Sequence, residues 1–145
     1  TTEIYTLSLH DALPISERLL AVTRECLDRA IAAVKPDGRI HDISRAVHSH
    51  AKTNGYGVVR QYCGHGVGFS PHEDPQVPNY VGSGPNPRLR VGMVLAIEPM
   101  INLGGDAVRE LDDGWTVVTS DKSLSAHFEH TVLVTSEGAE VLTHW

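Results

Sequence analysis

At 145 residues, the chain is long enough for one domain with a real hydrophobic core and short enough to be part of a larger one. It carries 18 acidic and 12 basic residues for a net charge of −6, with no Lys/Arg block, which excludes the electrostatic footprint of a nucleic-acid or anionic-membrane binder. Two cysteines, Cys26 and Cys63, lack Cys-x-x-Cys spacing and read as reduced thiols. No apolar run approaches the ~20 residues of a membrane span and no signal-peptide pattern is present, so the expected compartment is the cytoplasm.

Residues 1–16 (TTEIYTLSLHDALPIS) hold neither a helical nor a strand period and resemble translated sequencing-adapter sequence, so they are set apart as a non-native or artefactual segment. From 17 to 34, Leu20, Leu27, Ile31 and Val34 recur among charged residues at helical spacing, and Lys35-Pro36-Asp37-Gly38 stops the helix. A second helix is expected with Asp42 as N-cap, a stripe of Ile43, Ala46, Val47, His50 and Ala51, and a stop at Asn54-Gly55. His48 and His50, two apart on that helix, point to different faces and read as surface or boundary histidines.

The segment 56–62 reads as a strand leading into the turn Gly64-His65-Gly66-Val67-Gly68, and a Pro- and Gly-rich loop follows His72. Residues 91–101 read as one strand with Glu98 in its interior. A hairpin is expected around Asp112-Asp113-Gly114, between 108–111 and 115–119. Strands at 128–134 and 140–142 complete an α+β order, an antiparallel sheet covered on one face by helices.

Chemistry concentrates in a few residues. His65 stands unshielded between two glycines. The turn lacks the G-x-G-x-x-G spacing of a nucleotide loop, and His72-Glu73 does not continue into H-E-x-x-H. Glu98, flanked by Val-Leu-Ala-Ile and Pro-Met-Ile, would carry a costly bare charge, so something cationic should face it: Arg60 or Arg109 in an ion pair, or a metal. With Glu129 at the head of another strand, His65 and Glu98 form a nitrogen–oxygen set suited to Mn, Fe, Co or Zn rather than Ca.

Five stretches carry a resemblance: Cys63-Gly64-His65-Gly66-Val67-Gly68; His72-Glu73-Asp74-Pro75-Gln76-Val77; Ala96-Ile97-Glu98-Pro99-Met100; Asp113-Gly114-Trp115-Thr116-Val117; and Ser123-Leu124-Ser125-Ala126-His127-Phe128-Glu129-His130-Thr131. In that order they resemble the type I methionine aminopeptidases, over residues 17–145, the C-terminal portion of the catalytic domain. The resemblance implies the C-terminal half of a pita-bread fold and a centre for two divalent ions (Co, Mn, Fe or Zn). It implies His65, Glu98 and Glu129 as metal ligands, His72 and Glu98 as catalytic groups, and His72 with Trp115 against the substrate. Cys63 would pack beside the site.

The reaction so implied is removal of the N-terminal Met from nascent peptides, with transient ribosome association and no nucleic-acid or membrane partner. The family's two Asp ligands find no counterpart before Glu17, since Asp11 lies in the excluded segment, so the chain alone is expected to be an inactive fragment. Pro71 stands where many members carry an aromatic pocket residue. The competing readings are an Xaa-Pro aminopeptidase or prolidase, and a non-catalytic protein-binding module on the same fold.

Overall fold

The computed structural model describes residues 9–144. Two helices, α1 (Leu9–Ala32) and α2 (Ile40–Thr53), precede ten short strands: β1 (Gly57–Val58), β2 (Gly64–Gly66), β3 (Glu73–Val77), β4 (Val94–Ile97), β5 (Met100–Asn102), β6 (Val108–Glu110), β7 (Val117–Thr119), β8 (Ser125–His127), β9 (His130–Val134) and β10 (Ala139–Val141). No described helix is long and apolar enough to cross a membrane.

Of the segment set apart at the N-terminus, residues 1–8 lie outside the described residues, whereas the remainder continues α1 through Pro14. The helix therefore starts earlier than its apolar period suggests. Its buried stripe is Leu19, Val22, Cys26, Leu27 and Ala30, with Val34 buried just past its end, and Leu20 faces solvent. In α2 the buried positions are Ile40, Ile43, Ser44, Val47 and Ala51, so Ala46 and His50 of the expected stripe are only half-buried. Asp42 lies one turn inside rather than at the cap, where its Oδ2 accepts the Arg39 N–H at 2.9 Å. The helix ends at Asn54, followed by Gly55 at φ 79°.

All strand pairs are antiparallel and fall into a five-stranded sheet ordered β10-β9-β4-β2-β3, a three-stranded sheet ordered β1-β5-β8, and the hairpin β6-β7. The hairpin forms around the Asp-Gly signal: Asp113 Oδ1 accepts the Trp115 and Thr116 N–H groups, and Gly114 adopts φ 66°.

Residues 91–101 differ from expectation. The chain leaves the five-stranded sheet after Ile97 and enters the three-stranded sheet at Met100, with Glu98-Pro99 as the crossing. The opposing chain makes the same change at Phe128-Glu129, between β8 and β9. Leu95, Ile97, Ile101, Ala126, Val132 and Val134 join the helices in one core. By strand alternation the residues between them, Ala96, Glu98, Met100, His127 and Glu129, belong to the opposite face. Helices thus cover one side of the sheets and leave the chemistry-bearing side uncovered by them.

Candidate active site

The site is a consequence of register. Ile97 pairs with His130 before the crossing, and Met100 pairs with His127 after it. The two pairings share one frame, bridged by Phe128 N–H donating to Pro99 O at 3.3 Å, so Glu98 stands opposite Glu129. Asn79, itself buried, donates its Nδ2–H to the Glu98 carbonyl at 3.0 Å and pins the crossing.

Like charges directly opposite on neighbouring strands destabilise a sheet. A cation placed between Glu98 and Glu129 removes that penalty, and their partners fit one. His65 pairs with Ala96, which makes it a diagonal neighbour of Glu98 on the same face. Its Nε2 lies 3.4 Å from Glu98 Oε1, and its Nδ1 lies 2.9 Å from Gly66 O. A carbonyl only accepts, so Nδ1 carries a hydrogen; in the neutral tautomer the Nε2 lone pair then faces a carboxylate oxygen. A metal between them would make that contact attractive, and a backbone acceptor behind the other ring nitrogen is the usual support of a ligating imidazole.

Neither arginine considered from sequence is what meets Glu98. Arg60 donates from Nε to Asp106 Oδ2 at 3.0 Å. The groups facing Glu98 are two imidazoles: His65 at Oε1, and His127, whose Nε2 is 3.2 Å from Oε2. His127 was not singled out by sequence reasoning. Among the described residues, Glu98, His127 and Glu129 present ligand atoms all within 4.8 Å of one another. His65 is not a member of that mutual set and approaches Glu98 alone. The available signal was His127's place two residues before Glu129 on a strand, hence on its face, but only the register shows that Glu98 sits opposite.

His72 is exposed just before β3, its ring centroid 4.1 Å from that of His65 and the planes tilted by 41°. Trp115, 87% exposed on the β6–β7 turn, stands at the rim. Both line a cleft of about 1080 Å³ together with Cys63, His65, Glu98 and His127. Burial, reinforced by the nearby Glu98 carboxylate, pushes the Cys63 thiol above its ordinary range, which suits a packing role better than a nucleophilic one.

The sequence profile of metallopeptidase family M24 matches residues 4–136. Methionine aminopeptidase A of Synechocystis sp. is 52% identical over 130 residues, covering 90% of this chain and 51% of the relative. Methionine aminopeptidase of Treponema pallidum is 54% identical over 126 residues, covering 86% of this chain and 49% of the relative. The crystal structure of methionine aminopeptidase from Thermotoga maritima superposes with a TM-score of 0.86 at 49% identity, covering 90% of this chain and 53% of that one. The chain therefore spans about half the length of the curated relatives it matches, and its α+β layering is that of a pita-bread half. A match over so much of the sequence, carried by the same fold, makes this chain a member of metallopeptidase family M24.

Proposed function

We propose that the protein takes part in metal-dependent removal of the N-terminal methionine from nascent peptides, in the cytoplasm and in transient contact with the ribosome, and that residues 17–145 form the C-terminal portion of the catalytic domain while 1–16 stand outside it. The observation that carries this reading is the paired crossing of two strands between sheets, which sets Glu98 opposite Glu129, with Glu98, His65 and His72 lining an open cleft. The identity to proteins named methionine aminopeptidases supports the choice of substrate.

In this reading His65, Glu98 and Glu129 hold the metal pair, whose identity lies within Co, Mn, Fe and Zn. Divalent ions held there would supply Lewis acidity to the scissile carbonyl and its attacking water. Glu98 would hold the proton that moves between the attacking water and the leaving amine. His72, exposed beside His65, donates a hydrogen bond to the scissile carbonyl oxygen as charge develops there. Trp115 flanks the methionine side chain from the rim.

The test is a chimera in which the N-terminal half of the Synechocystis relative precedes this chain in one reading frame. With a divalent metal it should release methionine from Met-Ala-Ser and leave Ala-Pro intact, the Glu98→Gln chimera should lose at least ~100-fold in turnover, and the chain alone should release none. Cleavage of Ala-Pro in place of Met-Ala-Ser would establish the prolidase reading. A folded chimera that cleaves neither would establish the binding module.

A further inference from the structure

The metal-ligand set implied by family resemblance leaves out one of the two imidazoles that face the Glu98 carboxylate. His127 ends β8, the edge strand of the three-stranded sheet, and its Nε2 reaches within 3.2 Å of Glu98 Oε2. His65 approaches the other oxygen, Oε1, at 3.4 Å. Glu98 is thus flanked by an imidazole on each side, its own side chain 13% exposed and that of His127 47% exposed.

On the His127 side a second carboxylate completes a triad. Ligand atoms of Glu98, His127 and Glu129 all lie within 4.8 Å of one another. Zinc-like ions bind imidazole nitrogen and carboxylate oxygen at about 2.0–2.2 Å, so an ion placed among the three would draw them closer together than they stand here. Three protein ligands with a remaining position open to solvent is the coordination number of a catalytic rather than a sealed structural centre. One imidazole and two carboxylates favour a borderline transition metal over Ca or Mg.

We infer that His127 is a metal ligand, and that Glu98, His127 and Glu129 form a single-ion site for a divalent transition metal contained wholly in this chain. Glu98 Oε1 faces His65 and Oε2 faces His127, so the ion would lie on the His127 side of the carboxylate. The inference rests on the reading of the cleft as a metal centre, but it concerns a residue which that reading does not use.

The experiment is a titration of the full chain with Co(II) alone, followed by visible absorption and calorimetry, for the wild type, His127→Gln, Glu98→Gln and His41→Gln. His41 lies away from the cleft, on α2. The wild type should bind one ion. His127→Gln should weaken binding by more than about tenfold and change the absorption band, Glu98→Gln should abolish binding, and His41→Gln should leave it unchanged. A second measurement avoids any dependence on variant folding: Zn(II) titration of wild-type protein with 15N-labelled histidine should move the His127 Nε2 resonance. Binding by His127→Gln equal to that of the wild type, an unmoved His127 resonance at saturation, or no uptake by the wild type each overturns the inference. Methionine release by the chimera stands as the separate measure of the proposed function.

Discussion

Glu98 shows what a single residue reveals in sequence and what it withholds. Its apolar flanks announce a carboxylate that needs a partner, but the partners are two imidazoles from β2 and β8, and nothing local to residue 98 could name them. His127 is the clearest case, since its spacing from Glu129 is visible while its approach to Glu98 exists only once β5 and β8 are in register. The cysteines were easier to read and lead to a test. Cys26 is fully buried between the helices, its Sγ 3.7 Å from Val47 O, and burial pushes its thiol up to about 12. Cys63 is also raised by burial but lines the open cleft. Alkylation proceeds through the thiolate and needs access. Iodoacetamide at mildly alkaline pH should therefore modify Cys63 slowly and leave Cys26 untouched until denaturant is added, as peptide mass mapping will show; equal labelling of both in native protein would contradict this packing.

Elements were legible where local chemistry acts alone and obscure where pairing decides. Both helices and the Asp-Gly hairpin follow from apolar period and turn residues. By contrast the run of prolines at 71, 75 and 78 and the Gly-Pro tract after it mark β3 as loop, yet β3 is the outer strand of its sheet, the place where a strand tolerates proline. The tripeptide of β2 was read as a turn for its glycines. Those glycines serve close approach: a Cβ on Gly64 would collide with the Ala96 carbonyl of β4, and one on Gly66 with the Asp74 carbonyl of β3. His65 between them thus sits on a strand that β3 and β4 approach closely on either side. Gly66→Ala should force β2 and β3 apart, lowering stability by about 1–3 kcal/mol, measured as a shift in urea midpoint. Gly84→Ala, where an added Cβ meets nothing within 4 Å, should leave that midpoint within about 0.5 kcal/mol of wild type. A neutral Gly66→Ala would mean that the two strands do not need this contact.

At the scale of the whole molecule, composition and element order gave the α+β layering, but not the division into two sheets or what ties them to the helices. Asp106, in the segment between β5 and β6, is one such tie. It accepts from Lys52 Nζ at 2.6 Å, near the end of α2, from the Val58 N–H of β1 at 2.9 Å, and from Arg60 Nε at 3.0 Å. Burial by itself would raise the Asp106 carboxyl; the hydrogen bonds from Lys52, Val58 and Arg60 outweigh it and bring the group down to about 2, from an ordinary value of 3.8. A carboxyl lowered in the folded state stabilises above its unfolded value and loses that contribution as the pH falls through the folded one. Wild-type stability should therefore fall as pH drops from about 4 toward 2. Asp106→Asn keeps an acceptor but not the charge, so it should be less stable near neutral pH by about 1–3 kcal/mol and should show a shallower decline across the same acid window. Denaturant midpoints at neutral pH and through that window measure both. Equal slopes for the two proteins would show that acid sensitivity resides in other carboxylates, and that this junction between helix and sheet is held by packing rather than by charge.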